Sequence, residues 1–384
     1  MAAIKVKPPA KVVKSPTARE VVAEHATKIK EAVSGGKEDV GARLARAKAA
    51  MAAINKSFPG SKIILANQIP QVPRIRTGHL SIDVVTGGGF PRQRASQVKG
   101  PEHSGKTTVL FDMIARLQRE GGIAAWVNGE EFDAGWAQSR GVDTDQLVLI
   151  PFADGTTMLE QLVQMMASGT IDLACLDSIQ TVKPPRALDT PIGETGYGSG
   201  APQMWNDLNG KINYLYAKGM ADTAFVWVSQ MRAKIATGWQ PPGADKEDGS
   251  QVKALLHWKS IDVRYRPGGF LKVNKDSDPY GRGVVVKCEK NKVGPRPYRE
   301  AEYDFIFGDG GPVPVGQIDR GKELVSHARF FNVIVSSGAH YSYGGKKIAN
   351  GLENLHAFFR DPDNADLFSE IEEKVLEIAA TSTA

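Results

Sequence analysis

The 384-residue sequence has only two cysteines, Cys175 and Cys288, and both sit in apolar, strand-like stretches. A disulfide framework or a cysteine-built metal site is therefore not expected, and the pair reads as reduced core thiols. Missing too is any apolar run near the roughly 18 residues that a membrane span requires. The basic opening from Met1 to Pro9 has no apolar stretch of signal-peptide length behind it. No membrane partner is expected, and the expected location is cytoplasmic. There are no internal repeats, so the sequence is not that of a solenoid or propeller. An excess of one charge is nearly missing as well, with 48 Lys and Arg against 43 Asp and Glu for a net charge of +5.

The small excess is unevenly spread. Met1 to Ala50 holds 11 basic residues against 5 acidic ones, and Leu352 to Ala384 holds 2 against 8. Residues 1–38 are Pro-rich without a sustained apolar period and read as a flexible basic tail. Over Val40–Lys56, Leu44, Ala47, Met51 and Ile54 line one face at helical spacing. The short apolar run Lys62–Ala66 follows as an expected strand without a partner nearby, so residues 39–75 read as a helix-strand oligomerisation arm that docks elsewhere. An edge element of the same domain is the alternative.

Beyond Gly87–Gly89 the pattern becomes strands alternating with helices. Strands are expected at 95–99, 123–128, 147–151, 171–177, 224–229, 260–265 and 284–289, with helices at 106–120, 157–168 and 203–218. Strand, helix, strand in this order implies right-handed crossovers and a mostly parallel sheet covered on both faces, an α/β fold. That core is expected over 76–320. A small α+β unit over 321–384 ends in an amphipathic helix at 367–378.

Gly100-Pro101-Glu102-His103-Ser104-Gly105-Lys106-Thr107 has the form G-x-x-x-x-G-K-[ST] between a strand and a helix. Such a loop wraps phosphates with backbone N–H groups, its lysine bridges the terminal phosphates and its hydroxyl holds Mg²⁺. Thr108 follows directly. A second apolar strand ends in Asp177, the carboxylate expected to hold Mg²⁺ through its water shell. Hydrolysis also requires a carboxylate that orients water without binding the metal, and Glu130, just past the strand at 123–128, is the better placed of the pair Glu130 and Glu131.

With these motifs the sequence resembles the RecA recombinases of bacteria and bacteriophages over roughly residues 40–380. His103 stands where that family commonly has serine. The resemblance implies an ATPase core on phosphate-binding-loop lines, an N-terminal arm and a small C-terminal domain. It makes Glu130 the water-activating residue. Asp133 and Trp136 become the groups that hold and stack on adenine, and Gln230 becomes the sensor of the terminal phosphate. Lys290 and Lys292 would reach a neighbour's ATP across a subunit interface.

The resemblance also implies two DNA-binding loops. The first spans Asp189–Gly200, with Gly193, Tyr197 and Gly198 facing the strand and Pro202 where an arginine is usual. The second follows Gln230, with Arg232 and Lys234 contacting phosphate. Lys346 and Lys347 would gather duplex DNA. The acidic tail common in the family does not follow, so autoinhibition by one is not expected. The implied activity is a DNA-dependent ATPase, with ATP and Mg²⁺ as cofactors. It would form a homo-oligomeric helical filament on single-stranded DNA and pair that strand with homologous double-stranded DNA. A ring helicase on the same core, or a nucleotide-binding regulator, stays open as an alternative.

Overall fold

The computed structural model describes residues 39–58, 62–69, 71–191, 200–233, 247–249, 253–294 and 299–381. The chain forms two units, Met1–Gln71 and Val72–Ala384. In the first, helix α1 (Val40–Ser57) starts at Asp39, whose carboxylate accepts from the Gly41 N–H at the open end of the helix. The strand expected at Lys62–Ala66 does not form: residues 62–65 are unpaired and Ala66–Gln68 is a 3₁₀ turn. No strand among the described residues pairs with it. Its backbone is met instead by a side chain, because the Asn55 amide donates to Ile63 O at 2.9 Å and its oxygen accepts from the Ile63 N–H at 2.7 Å.

The second unit opens with β1 (Arg74–Ile75), α2 (Leu80–Thr86) and β2 (Phe90–Pro91). It continues through β3 (Ala95–Gly100), α3 (Lys106–Arg119), β4 (Ala124–Asn128), α4 (Ala134–Ser139), β5 (Leu147–Ile150), α5 (Gly155–Ala167) and β6 (Leu173–Asp177). Then come α6 (Pro185–Leu188), α7 (Ala201–Ala217), β7 (Ala224–Ala233), β8 (Glu247–Gly249), α8 (Lys253–Trp258), β9 (Ile261–Leu271), β10 (Gly281–Asn291) and β11 (Glu300–Ile306). The main sheet runs β11-β10-β9-β3-β7-β6-β4-β5, with β8 paired to β7. From β9 to β5 neighbouring strands are parallel, and β9, β10 and β11 are antiparallel.

The period-two alternation of the strands explains why both faces are covered. Leu173 and Cys175 of β6, with Val226 and Val228 of β7, pack with α3 on one face. Ala174, Leu176, Phe225 and Trp227 pack with α5 and α7 on the other. The expected α/β class and its parallel sheet are present, and β7, β9 and β10 run further than their apolar cores. Helix α2 escaped the sequence reading because all seven of its residues are buried, which leaves no amphipathic period.

Helix α2 also joins the core to the C-terminal unit, made of α9 (Arg320–Phe330), the antiparallel sheet β12 (Val335–Ser337), β13 (His340–Tyr343) and β14 (Lys346–Asn350), α10 (Leu352–Arg360) and α11 (Ala365–Thr381). Leu80 and Val84 enter the apolar cluster of that unit. The Ser81 N–H donates to Glu323 at 2.7 Å.

The β1–β2 ribbon depends on close backbone approach at Gly89, where φ is +101° and a Cβ would fall 2.1 Å from Ile75 O. Gly121 also has positive φ, at +81°, but nothing lies within 4 Å of its missing Cβ. Gly89→Ala is expected to cost more than about 3 kcal/mol in urea unfolding, and Gly121→Ala about 1 kcal/mol, the backbone term alone. Equal losses would contradict this account of the ribbon.

Candidate functional site

The residues singled out above gather where the parallel strands end. Gly100 of β3 lies level with Gln230 of β7, and Asp177 of β6 lies level with Asn128 of β4. With β7 next to β6 in the sheet, four consecutive strand ends are presented side by side across about 15 Å. Open parallel sheets place ligands at this edge.

The loop from Gly100 folds back on itself. Ser104 Oγ donates to Pro101 O at 2.8 Å, and Lys106 Nζ donates to the same carbonyl at 2.6 Å. Lys106 is buried at the first turn of α3, and desolvation lowers its pKa against the opposing pull of Asp177, Glu130 and Glu102. Thr107 Oγ1 donates to Asp177 Oδ2 at 2.6 Å. Burial pushes the Asp177 carboxyl up to about 6, with Glu130 adding to the rise while the Thr107 hydroxyl and Lys106 oppose it.

Glu130 is fixed by three contacts. Its N–H donates to Asp177 O at 2.6 Å, and its Oε1 accepts from Ser178 Oγ and from Gln230 Nε2, the latter at 3.1 Å. Gly129 makes this possible, because a Cβ there would stand 2.8 Å from Asp177 O. The structure thus brings Lys106, Thr107, Asp177, Glu130 and Gln230 into one connected cluster. Pro101, Glu102 and His103 form the more accessible part of the loop, while Thr108 continues α3.

To one side, Asp133 caps α4 by accepting from the Trp136 N–H at 2.8 Å. Trp136 is half-buried against the core, with the Arg140 guanidinium 5.8 Å from its ring centre. Arg140 is itself held by Asp112 at 2.6 and 2.7 Å, and Asp112 meets His79 Nε2 at 2.6 Å. These three lie behind the candidate base-stacking residue.

Lys290 and Lys292 lie away from this cluster within one chain. Lys290 pairs with Asp262, which is level with Gln97 of β3, about 10 Å back along the strand from Gly100. Their ammonium groups donate to Leu256 O at 2.8 Å and His257 O at 2.9 Å, at the C-terminal end of α8. Burial and the neighbouring cations Lys292 and Lys259 bring the Lys290 pKa down to about 8. Lys346 and Lys347 are exposed on β14. Gly193, Tyr197, Gly198 and Lys234 lie outside the described residues, as does the side chain of Arg232 on β7.

Sequence reasoning missed Ser178, Gln180 and Arg140. Ser178 directly follows Asp177, so position could have flagged it. The roles of Gln180 and Arg140 depend on partners distant in sequence, Gln180 on residues 49 and 50 positions away and Arg140 on Asp112.

The site can also be tested for an ATP–Mg²⁺ ligand. A buried ammonium beside a folded phosphate-type loop, and a half-buried hydroxyl bonded to a buried carboxylate next to it, supply the donors that a triphosphate and a hard cation require. Among the described residues no group of three or more His, Cys, Asp or Glu could hold a metal.

The chain is similar to known proteins over most of its length. Residues 45–311 match the model of the RecA N-terminal domain and residues 322–380 that of the RecA C-terminal domain. Protein RecA of Kineococcus radiotolerans is 35% identical over 336 residues, covering 86% of this chain and 90% of the relative. Protein RecA of Campylobacter jejuni subsp. doylei is 33% identical over 324 residues, covering 83% and 90%.

The electrostatics of Asp177 give a test that involves no ligand. Its folded pKa of about 6 exceeds the unfolded value, so its protonated form favours the folded state. Stability from this group falls as pH rises from about 4 to about 6 and is flat above. Asp177→Asn is expected to raise stability at pH 7 by on the order of 1–3 kcal/mol and to remove this part of the pH slope in denaturant unfolding. Identical slopes in the two proteins would contradict the burial assigned to this carboxyl.

Proposed function

The chain belongs to the RecA family, and from that premise we propose that it is a DNA-dependent ATPase and homologous recombinase. It assembles as a helical filament on single-stranded DNA and exchanges that strand into a homologous duplex. The observation that carries this reading is the joint contact at Glu130 Oε1, where the residue placed to orient water and the residue placed to sense phosphate share one oxygen.

Bound ATP and Mg²⁺ supply the phosphoryl group and the cation that neutralises its charge. The protein's part is positional and electrostatic. Lys106 releases Pro101 O and directs its charge at the terminal phosphates. Thr107 and Asp177 would hold the cation, from α3 and β6. Glu130 orients the attacking water and takes up its proton. Gln230 exchanges its bond to Glu130 for one to phosphate, and the change is carried along β7 toward residues 234–246.

In this reading each site is completed by a neighbouring copy. Lys290 and Lys292 point away from the loop of their own chain, which favours action on the ATP of the next subunit, where a cation supplied in trans stabilises developing charge. Two further features support open, head-to-tail assembly. The strand β5 lies at the edge of the sheet with Leu149 exposed, and the segment Lys62–Leu65 is extended and unpaired. The arm of one copy adding to the β5 edge of the next would satisfy both. Residues 192–199 and 234–246 would meet single-stranded DNA, and Lys346 and Lys347 the incoming duplex, with a salt-dependent and largely sequence-independent affinity.

Strand exchange between a circular single strand and homologous linear duplex tests the function directly. Joint molecules are expected with ATP and not without it. Failure with ATP present would reduce the protein to a DNA-stimulated ATPase. Glu130→Gln is expected to lower hydrolysis by about 100-fold or more while single-stranded DNA binding persists; hydrolysis near the unsubstituted rate would remove Glu130 from the chemistry.

A further inference from the structure

The segment leaving β6 carries an amide that the roles above do not use. Gln180 is half-buried, and its Nε2 donates to two acceptors on β7, Ser229 Oγ at 3.1 Å and Gln230 O at 3.0 Å. A backbone carbonyl only accepts, so the Gln230 oxygen fixes which end of the amide faces β7. Gln180 Oε1 is then left buried without a hydrogen-bond partner among the described residues. A residue present only to fill space has no need to leave a polar atom in that state.

The position of this amide gives it consequence. The Ile179 N–H donates to Val228 O at 3.1 Å, so the segment is tied to β7 at Ile179 as well as at Gln180, and Thr181 Oγ1 folds it on itself by donating to Ser178 O at 2.7 Å. Ser178 and Gln230 both donate to Glu130 Oε1. Gln180 therefore closes a ring that runs from Glu130 through Gln230 to Gln180 and back through Ser178. From that ring the chain continues in one direction through α6 toward residues 192–199, and in the other along β7 toward 234–246.

We propose that Gln180 is a positioning residue that couples nucleotide state to DNA affinity by tying the backbone of Gln230 to the Ser178–Thr181 segment. When the Gln230 side chain leaves Glu130, its carbonyl stays bound to Gln180. The shift then reaches the approaches to both loops together instead of being absorbed at the end of β7. The inference rests on the recombinase reading, which assigns DNA binding to those loops.

The test compares the unsubstituted protein with Gln180→Met, which keeps the shape and loses the donor, Gln180→Glu, which sets an acceptor against the Gln230 carbonyl, and Gln180→Ala. Affinity for a fluorescent oligothymidylate is measured by anisotropy with Mg²⁺ and either a slowly hydrolysed ATP analogue or ADP. Nucleotide affinity without DNA and thermal unfolding are measured alongside. In the unsubstituted protein the analogue is expected to tighten DNA binding at least about tenfold over ADP. All three variants are expected to reduce that ratio to about threefold or less, with nucleotide affinity and melting little changed. Should Gln180→Ala fail to fold, Gln180→Met carries the comparison. A full ratio in Gln180→Met would show that the side chain only packs, and would overturn the inference alone. An unsubstituted protein whose DNA affinity ignores the nucleotide would overturn the recombinase reading first, and this inference with it.

Discussion

The bond from Thr107 to Asp177 sets the terms for the rest of the molecule. It joins the start of a helix to the end of a strand and keeps a carboxyl in a place where its charge is poorly solvated. Lys106 faces the converse penalty beside it, with its ammonium turned onto a loop carbonyl. A protein that buries an acid and a base together without a direct ion pair has a site whose charges await partners from outside. The sheet order, the glycine at 129 and the packing of α3 all serve to hold that pair at the strand ends.

That arrangement explains why the site is one-sided. The described cluster brings together a loop of phosphate-binding form, a hydroxyl–carboxylate pair, a second carboxylate and an amide, all from β3, β4, β6 and β7. The cations proposed to complete it, Lys290 on β10 and Lys292 just past its end, lean on the end of α8, away from their own loop. A site divided as proposed would tie chemistry to assembly. Among the described residues, the segment Lys62–Leu65 and the outer side of β5 each have no strand partner, and the proposed assembly would let one supply the other.

Much of the fold was legible because its signals are local. The run Ile171–Asp177 is apolar on both faces, as a central parallel strand must be, and the loop motif marks the join between β3 and α3. The elements that escaped detection are those whose signal is not local. Helix α2 is buried on every side, so no periodicity betrays it. Lys62–Ala66 has the composition of a strand, but a strand requires a partner and none of the described residues pairs with it, so Asn55 takes the ladder's place. At the site, Glu130 and Asp177 could be found from strand ends. Gln180 could not, because its meaning comes from hydrogen bonds to β7, 49 and 50 residues away.

The central claim is that each ATP site is built from two copies, and complementation between two inactive variants tests it most directly. Glu130→Gln would spoil the loop side of a subunit, and Lys290→Ala combined with Lys292→Ala would spoil the side offered to its neighbour. Each protein alone should hydrolyse ATP poorly on single-stranded DNA. Mixed in equal amounts, they form some interfaces in which an intact Glu130 meets intact lysines. Random order along a head-to-tail filament then predicts recovery to roughly a quarter of the unsubstituted rate. No recovery on mixing, with both variants still bound to DNA in one filament, would contradict the divided site.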